Sequence, residues 1–250
     1  MSQLQVVINA DILTEPVIDL WNTLLDLSER VPPAWTLIGG QMVLLHGMEH
    51  DRVPPTVSQD LDVLADLVSE PRSLHRLVAA LGDLGFRVDG MSAEGKAHRY
   101  KRASKANHLT VDLLAPDHMG KHADLTTTPP GTTLEVPGGR RALERTADVS
   151  VQLGHRTGTI RRPDLLGAIV GKSAALGIAA TSREKHYRDL AFLLSLPTAP
   201  LTLRAELTRS DRKKLALARE LADMDHAAWR ALDDDEAAED GYALLLLLTS

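Results

Sequence analysis

The sequence predicts a mixed α/β fold, with an α+β core over residues 1–160 and a helical C-terminal part over residues 161–250. Three observations predict it. Short apolar runs with two-residue alternation gather before residue 160. Segments of helical spacing lie between them, so the sheet is interleaved with helices. After Arg161 only helical spacing recurs.

Along the chain, residues 11–30 repeat Ile12, Leu13, Val17, Leu20, Leu24, Leu25 and Leu27 at helical spacing, and Pro32-Pro33 ends that helix. The run 35–38 reads as a strand feeding a Gly39-Gly40 turn, with a helix starting at 41–46 and stopping at Gly47. Pro54-Pro55 stiffens the loop that follows. Residues 58–64 alternate polar and apolar as a half-buried strand does. Residues 71–84 are amphipathic at helical spacing, and Gly85 closes that helix. Residues 86–88 read as a strand, and 98–102 with 109–114 as a strand pair joined through Lys105 and Asn107. The stretch 115–140, rich in Pro, Gly and Thr, reads mainly as loop, with a short strand at 134–136. Further strands are expected at 149–153 and 158–160. Helices are expected at 165–176, with Pro163 at its start, and at 184–196, 211–221 and 227–238.

Composition narrows the function classes. The chain has 250 residues, of which 44% are hydrophobic and 25% charged, ordinary for a globular protein. It has no cysteine, which removes thiol nucleophiles and thiolate metal sites and fits a reducing compartment. No secretory leader is visible at the start. The longest apolar run, residues 243–248, is far short of the ~20 residues of a membrane span. A cytoplasmic protein with no membrane partner is expected. A net charge of −6 argues against non-specific coating of nucleic acid, and 3% aromatics argue against a base-stacking platform.

The chemistry lies in Asp60-Leu61-Asp62 and Asp112. Residues two apart on a strand face the same way, so Asp60 and Asp62 project together. Asp112 sits in a second apolar strand, and if the strands are neighbours three carboxylates converge. Carboxylates so placed repel one another unless a cation intervenes, and magnesium favours a few carboxylates with phosphate oxygens and water. Ahead of them, Gly39-Gly40 lets backbone approach a phosphate closely, and the following helix turns its N-terminus to the same place.

The segments LIGGQMVLLHG, SQDLDVL and LTVDLL resemble the polymerase-beta-like nucleotidyltransferase superfamily, and within it the AbiEii/MenT-type toxin nucleotidyltransferases. The resemblance runs from about residue 35 to 195. It implies a mixed-sheet nucleotidyltransferase core with a helical C-terminal domain. It implies that Gly39, Gly40 and Ser58 touch nucleotide phosphates. Asp60 and Asp62 would bind Mg2+, with Asp112 as third carboxylate and metal ligand, helping to activate the acceptor hydroxyl. It further implies that Lys172, in GAIVGKSAAL, neutralises the triphosphate. Asp189, in REKHYRDLAFLL, would orient Lys172 or a neighbouring basic residue, with Arg183 and Lys185 as lesser phosphate contacts. The substrate would be an NTP and the acceptor RNA, such as the 3′ end of tRNA. The partner would be an antitoxin.

The sequence departs from the pattern in places. The stretch from Gly40 to Asp60 is longer than the superfamily's, Thr56 stands where an arginine is common, Arg52 lies further back, and His186 stands where an acidic residue is common. Gly167 to Ser173, GAIVGKS, imitates a phosphate-binding loop but has one residue too few between its glycines and no strand before it. Asp117, His118, His122 and Asp124 read as ordinary loop polarity, and His46 suits either a cleft or packing. Lys96, Arg99, Lys101, Arg102, Lys105, Arg156, Arg161 and Arg162 would form either a basic patch for an RNA backbone or solvated hairpin charge. Two rival functions remain at this point: transfer to an aminoglycoside or protein hydroxyl, which suits an acidic protein, and a catalytically silent binding protein.

Overall fold

The computed structural model describes residues 5–104, 108–178 and 182–250. The expected loop through Lys105 and Asn107 falls outside them. The chain divides into two compact units, Met1–Gln41 with Ser58–Pro163, and Met42–Val57 with Asp164–Ser250.

The first unit runs β1 (Gln5–Ile8), α1 (Glu15–Arg30), β2 (Trp35–Ile38), the opening of α2 (Gly39–Met48), β3 (Asp60–Ala65), α3 (Ser73–Asp83), β4 (Arg87–Val88), β5 (Arg99–Ala103) and β6 (His108–Pro116). It continues with β7 (Thr126–Thr128), β8 (Gly131–Thr132), β9 (Leu134–Val136), α4 (Gly139–Glu144), β10 (Thr146–Leu153) and β11 (Arg156–Pro163). The main sheet is mixed, in the order β2-β3-β6-β5-β4, with β9 on β6. Its central pair β3 and β6 is parallel, whereas β2 on β3 and β5 on β6 are antiparallel. A smaller sheet has the order β1-β10-β11.

Beyond Asp62, β3 is buried through Val63, Leu64 and Ala65, and β6 through Leu113, Leu114 and Ala115. Such unbroken apolar runs belong to strands covered on both faces. Helix α1 buries Val17, Leu20, Trp21, Leu24, Leu25 and Leu27 at helical spacing. It lies so close to β11 that a Cβ at Gly158 would come within 2.7 Å of Leu25 Cδ2. Helix α4 adds Ala142 to a cluster with Leu64 and Leu114.

The second unit carries the rest of α2 and then α5 (Leu165–Ala175), α6 (Arg183–Leu194), α7 (Pro200–Ala205), α8 (Arg209–Leu215), a 3-10 segment (Ala216–Ala222), α9 (Ala227–Arg230) and α10 (Asp235–Thr249). Among the described residues no helix is long and apolar enough to cross a membrane.

Several elements differ from their expected form. Gly39-Gly40 is no free turn; it opens α2, which continues through Gly47. Gly47 marks a close crossing instead, since a Cβ there would lie 2.8 Å from the Phe192 ring. The 115–140 stretch contains β7, β8 and the first turn of α4 besides β9. Pro163 ends β11, and Asp164 caps α5 by accepting from the Gly167 amide at 2.9 Å. The expected 227–238 helix is broken. Asp233 takes a positive φ, and Asp234 then caps α10 through the Ala237 amide. Residues 11–30 split into a 3-10 turn at Ala10–Ile12 and α1, with Pro16 in the first turn. β1 was not expected; it is short and carries only alternate buried residues.

Candidate active site

In the first unit, the pairing of β3 with β6 sets Asp62 directly opposite Asp112, with Asp60 opposite Thr110. The chain reverses between β2 and β3, so Ile38 lies opposite Asp62 and the following Gly39 comes up against the same carboxylate. A Cβ at Gly39 would stand 1.7 Å from Asp62 Oδ2, and Gly39 has φ +71, a conformation that side-chain-bearing residues rarely adopt. A Cβ at Gly40 would stand 2.4 Å from Ser58 Cβ. Both glycines therefore allow the start of α2 to sit against the acidic end of β3.

A buried hydrogen-bond chain fixes that end. Trp21 Nε1 donates to Gln41 Oε1 at 2.8 Å, Gln41 Nε2 donates to the Ser58 carbonyl, and Ser58 Oγ donates to Asp60 Oδ1. Trp21 and Gln41 are fully buried, so each bond matters more than at a surface. Ser58, expected at the phosphates, is thus tied to Asp60. Neither Trp21 nor Gln41 was singled out in the sequence. The available signal was one amide in the otherwise apolar run LIGGQMVLL.

Asp112 is 6% exposed. Arg99, directly opposite on β5, grips it with two parallel bonds, Nε to Oδ1 at 2.9 Å and Nη2 to Oδ2 at 2.8 Å. This is the two-pronged geometry that suits guanidinium to carboxylate. The hydrogen bond to Asp112 is the main reason that Arg99 holds its proton even more firmly than an ordinary arginine, and Asp60 and Asp62 add to the effect. Next to it, the buried Nδ1 of His98 has no hydrogen-bond partner, and burial lowers that imidazole's pKa against the opposing pull of Asp112.

Three carboxylates with all-oxygen donors are chemically suited to a hard cation such as magnesium. The missing Cβ at Gly39 lets the Asp62 carboxylate pack directly against the backbone at the start of α2. Among the described residues no group of three acidic or imidazole side chains is gathered as a ready-made cation cage.

In the second unit, Lys172 on α5 donates to Asp189 on α6 at 2.6 Å, with both residues buried. His186 lies beside them. Burial first, and the Lys172 charge second, push its pKa down to about 4. Arg183 is bonded to Tyr187 Oη at 2.9 Å and to Glu220 at 3.0 Å, while Lys185 is half-buried on the same helix. Arg52 bonds the Ser195 carbonyl at 2.7 Å, faces Asp234 at 3.7 Å and covers the Phe192 ring. The GAIVGKS segment lies inside α5. His46 is buried.

Among the described residues of the expected basic patch, most cations have partners within the fold; Lys105 lies outside the described residues. Lys96 bonds Thr132 and Thr133, Lys101 pairs with Asp89, and Arg102 bonds Leu84 and Thr23. Arg156 is held by Asp26 and Glu29, Arg161 by Pro33 and Asp148, and Arg162 by the Pro163 carbonyl. Each of these cations neutralises or satisfies its own fold. Asp117 accepts from the Gly138 and Arg140 amides, and Asp124 from the Thr126 amide, so these two carboxylates serve their own loops.

No protein-family model matches the chain, and no curated protein matches it significantly.

Proposed function

We propose that the chain is a magnesium-dependent nucleotidyltransferase with its reactive centre at Asp60, Asp62 and Asp112. The observation that carries this reading is the parallel β3–β6 register, which sets Asp62 opposite Asp112, with Asp62 packed directly against the Gly39 backbone. The resemblance in LIGGQMVLLHG, SQDLDVL and LTVDLL supports it.

Asp60, Asp62 and Asp112 would hold magnesium. Bound there, it would supply charge neutralisation at the reacting phosphate and at the leaving pyrophosphate. Ser58 orients Asp60 through its hydroxyl. The Gly39-Gly40 backbone offers amides to phosphate oxygens at the start of α2. Asp112 accepts the proton of the acceptor hydroxyl. Lys172, held by Asp189, is assigned to the triphosphate by the resemblance, with Lys185 and Arg183 as lesser contacts. The acceptor on this reading is an RNA hydroxyl such as the tRNA 3′ end, and the biological role is a toxin opposed by an antitoxin.

Two observations favour a second acceptor. The described basic residues of the expected patch are committed to internal partners, and the net charge is −6. Both suit a cationic small molecule, such as an aminoglycoside, better than a polyanion.

The test is a transfer assay with magnesium, each labelled NTP in turn, and total tRNA or an aminoglycoside panel. The native protein labels one acceptor. Asp60→Ala lowers the rate by roughly a hundredfold or more, the scale of losing one group that stabilises transition-state charge. No labelled product with any NTP and either acceptor class sinks the reading.

A further inference from the structure

Asp112 has two roles that conflict. The nucleotidyl-transfer reading needs its carboxylate for a cation and for a hydroxyl proton, yet both of its oxygens are bonded to Arg99. A carboxylate gripped at both oxygens by a guanidinium is a poor metal ligand and a poor base. The β5–β6 register sets the two residues directly opposite, so the backbone cannot separate them. Only the arginine side chain can move, and it is the mobile partner: its side chain is 46% exposed against 9% for Asp112.

We propose that Arg99 is a built-in counter-cation for the acidic site, released only when nucleotide offers it a phosphate in place of Asp112. In the resting protein Arg99 stands where a divalent cation would otherwise neutralise Asp112, within the field of Asp60 and Asp62. When a nucleoside triphosphate arrives, the guanidinium exchanges one two-pronged anion for another. Carboxylate and phosphate oxygens suit its fork equally. Asp112 is then free to serve cation and acceptor. Cation and nucleotide therefore assist each other's binding, and the site stays guarded until the substrate is present. Arg99 thus serves Asp112 in the resting protein and the nucleotide phosphate once substrate is present, and the inference rests on the nucleotidyl-transfer reading.

The test is Mn2+ binding, read by calorimetry and by the electron paramagnetic resonance signal of free Mn2+. It is run with and without an α,β-methylene NTP analogue. For the native protein the analogue tightens Mn2+ binding on the order of tenfold, an ordinary coupling between two ligands. In Arg99→Met, Mn2+ alone binds on the order of tenfold more tightly than to native protein, and the analogue adds little further. Arg99→Lys keeps a charge but loses the fork, so it falls between the two. It also serves as the readout if the methionine variant does not fold. Folded Arg99 variants that bind Mn2+ no more tightly than native protein overturn the proposal while leaving the transferase reading intact. Native protein that binds no Mn2+ beyond an Asp60→Asn blank, with or without analogue, overturns both.

Discussion

Lys172 Nζ lies 2.6 Å from Asp189 Oδ2, and the two side chains are only 6% and 4% exposed. A pair so far from water holds its own only while both members are present. Asp189→Ala or Lys172→Ala leaves a lone buried charge and costs about 3–5 kcal/mol of unfolding free energy. The double replacement Lys172→Met with Asp189→Leu recovers most of that loss. Urea unfolding of the three variants measures it. Single variants as stable as the native protein would show the pair to be solvated.

His186 makes the same unit sensitive to acid. Its pKa is about 4 in the folded chain against an ordinary 6.5, chiefly through burial and then through Lys172. The unfolded chain therefore takes up a proton first as pH falls. The stability held above pH 6.5 is lost progressively from 6.5 toward about 4. Replacing the imidazole with an amide, His186→Gln, flattens this part of the melting-temperature profile. An unchanged slope from pH 7 to 4 would assign the acid sensitivity elsewhere.

Gly39→Ala tests the space beside Asp62. The new methyl meets the carboxylate and demands a positive φ of an alanine, a backbone cost of roughly 1–2 kcal/mol. Stability falls by at least that amount, and on the proposed reading nucleotidyl transfer falls more steeply because Asp62 is pushed aside. Activity equal to native would mean that the glycine serves the fold alone.

Gln41→Leu keeps the volume of the amide but breaks the chain from Trp21 to Ser58. It removes the acceptor of the buried Trp21 indole N–H and one donor to the Ser58 carbonyl, at about 1–3 kcal/mol. Ser58 then loses its bond to Gln41, and on the proposed nucleotidyl-transfer reading the transfer rate falls beyond the stability loss. Calorimetric unfolding together with single-turnover rates separates the two effects.

Local periodicity made most elements legible. Helix α1, strand β3 and the β5–β6 pair follow from residue spacing, because a helix or strand advertises its buried face every three to four or every two residues. The misplaced elements are those whose signal is short or borrowed. The four residues of β1 are held by the neighbouring β10. Helix α4 begins at Gly139, directly behind Pro137 and Gly138, which read as loop. The 227–238 segment breaks where Asp234 caps a new helix, a choice made by one side chain.

The sequence by itself determined that Asp60 and Asp62 share one face of a strand, that two glycines precede them, and that a third aspartate lies within an apolar strand. Those are consequences of backbone period and side-chain size, which act between near neighbours. Only the tertiary structure decided that β3 and β6 run parallel with Asp62 opposite Asp112, and that Arg99 clasps Asp112. It also decided that residues 42–57 belong with the C-terminal helices. Strand partners and register are set by packing between residues some fifty positions apart, where one step of slippage reverses every face. No local pattern in the chain carries that choice.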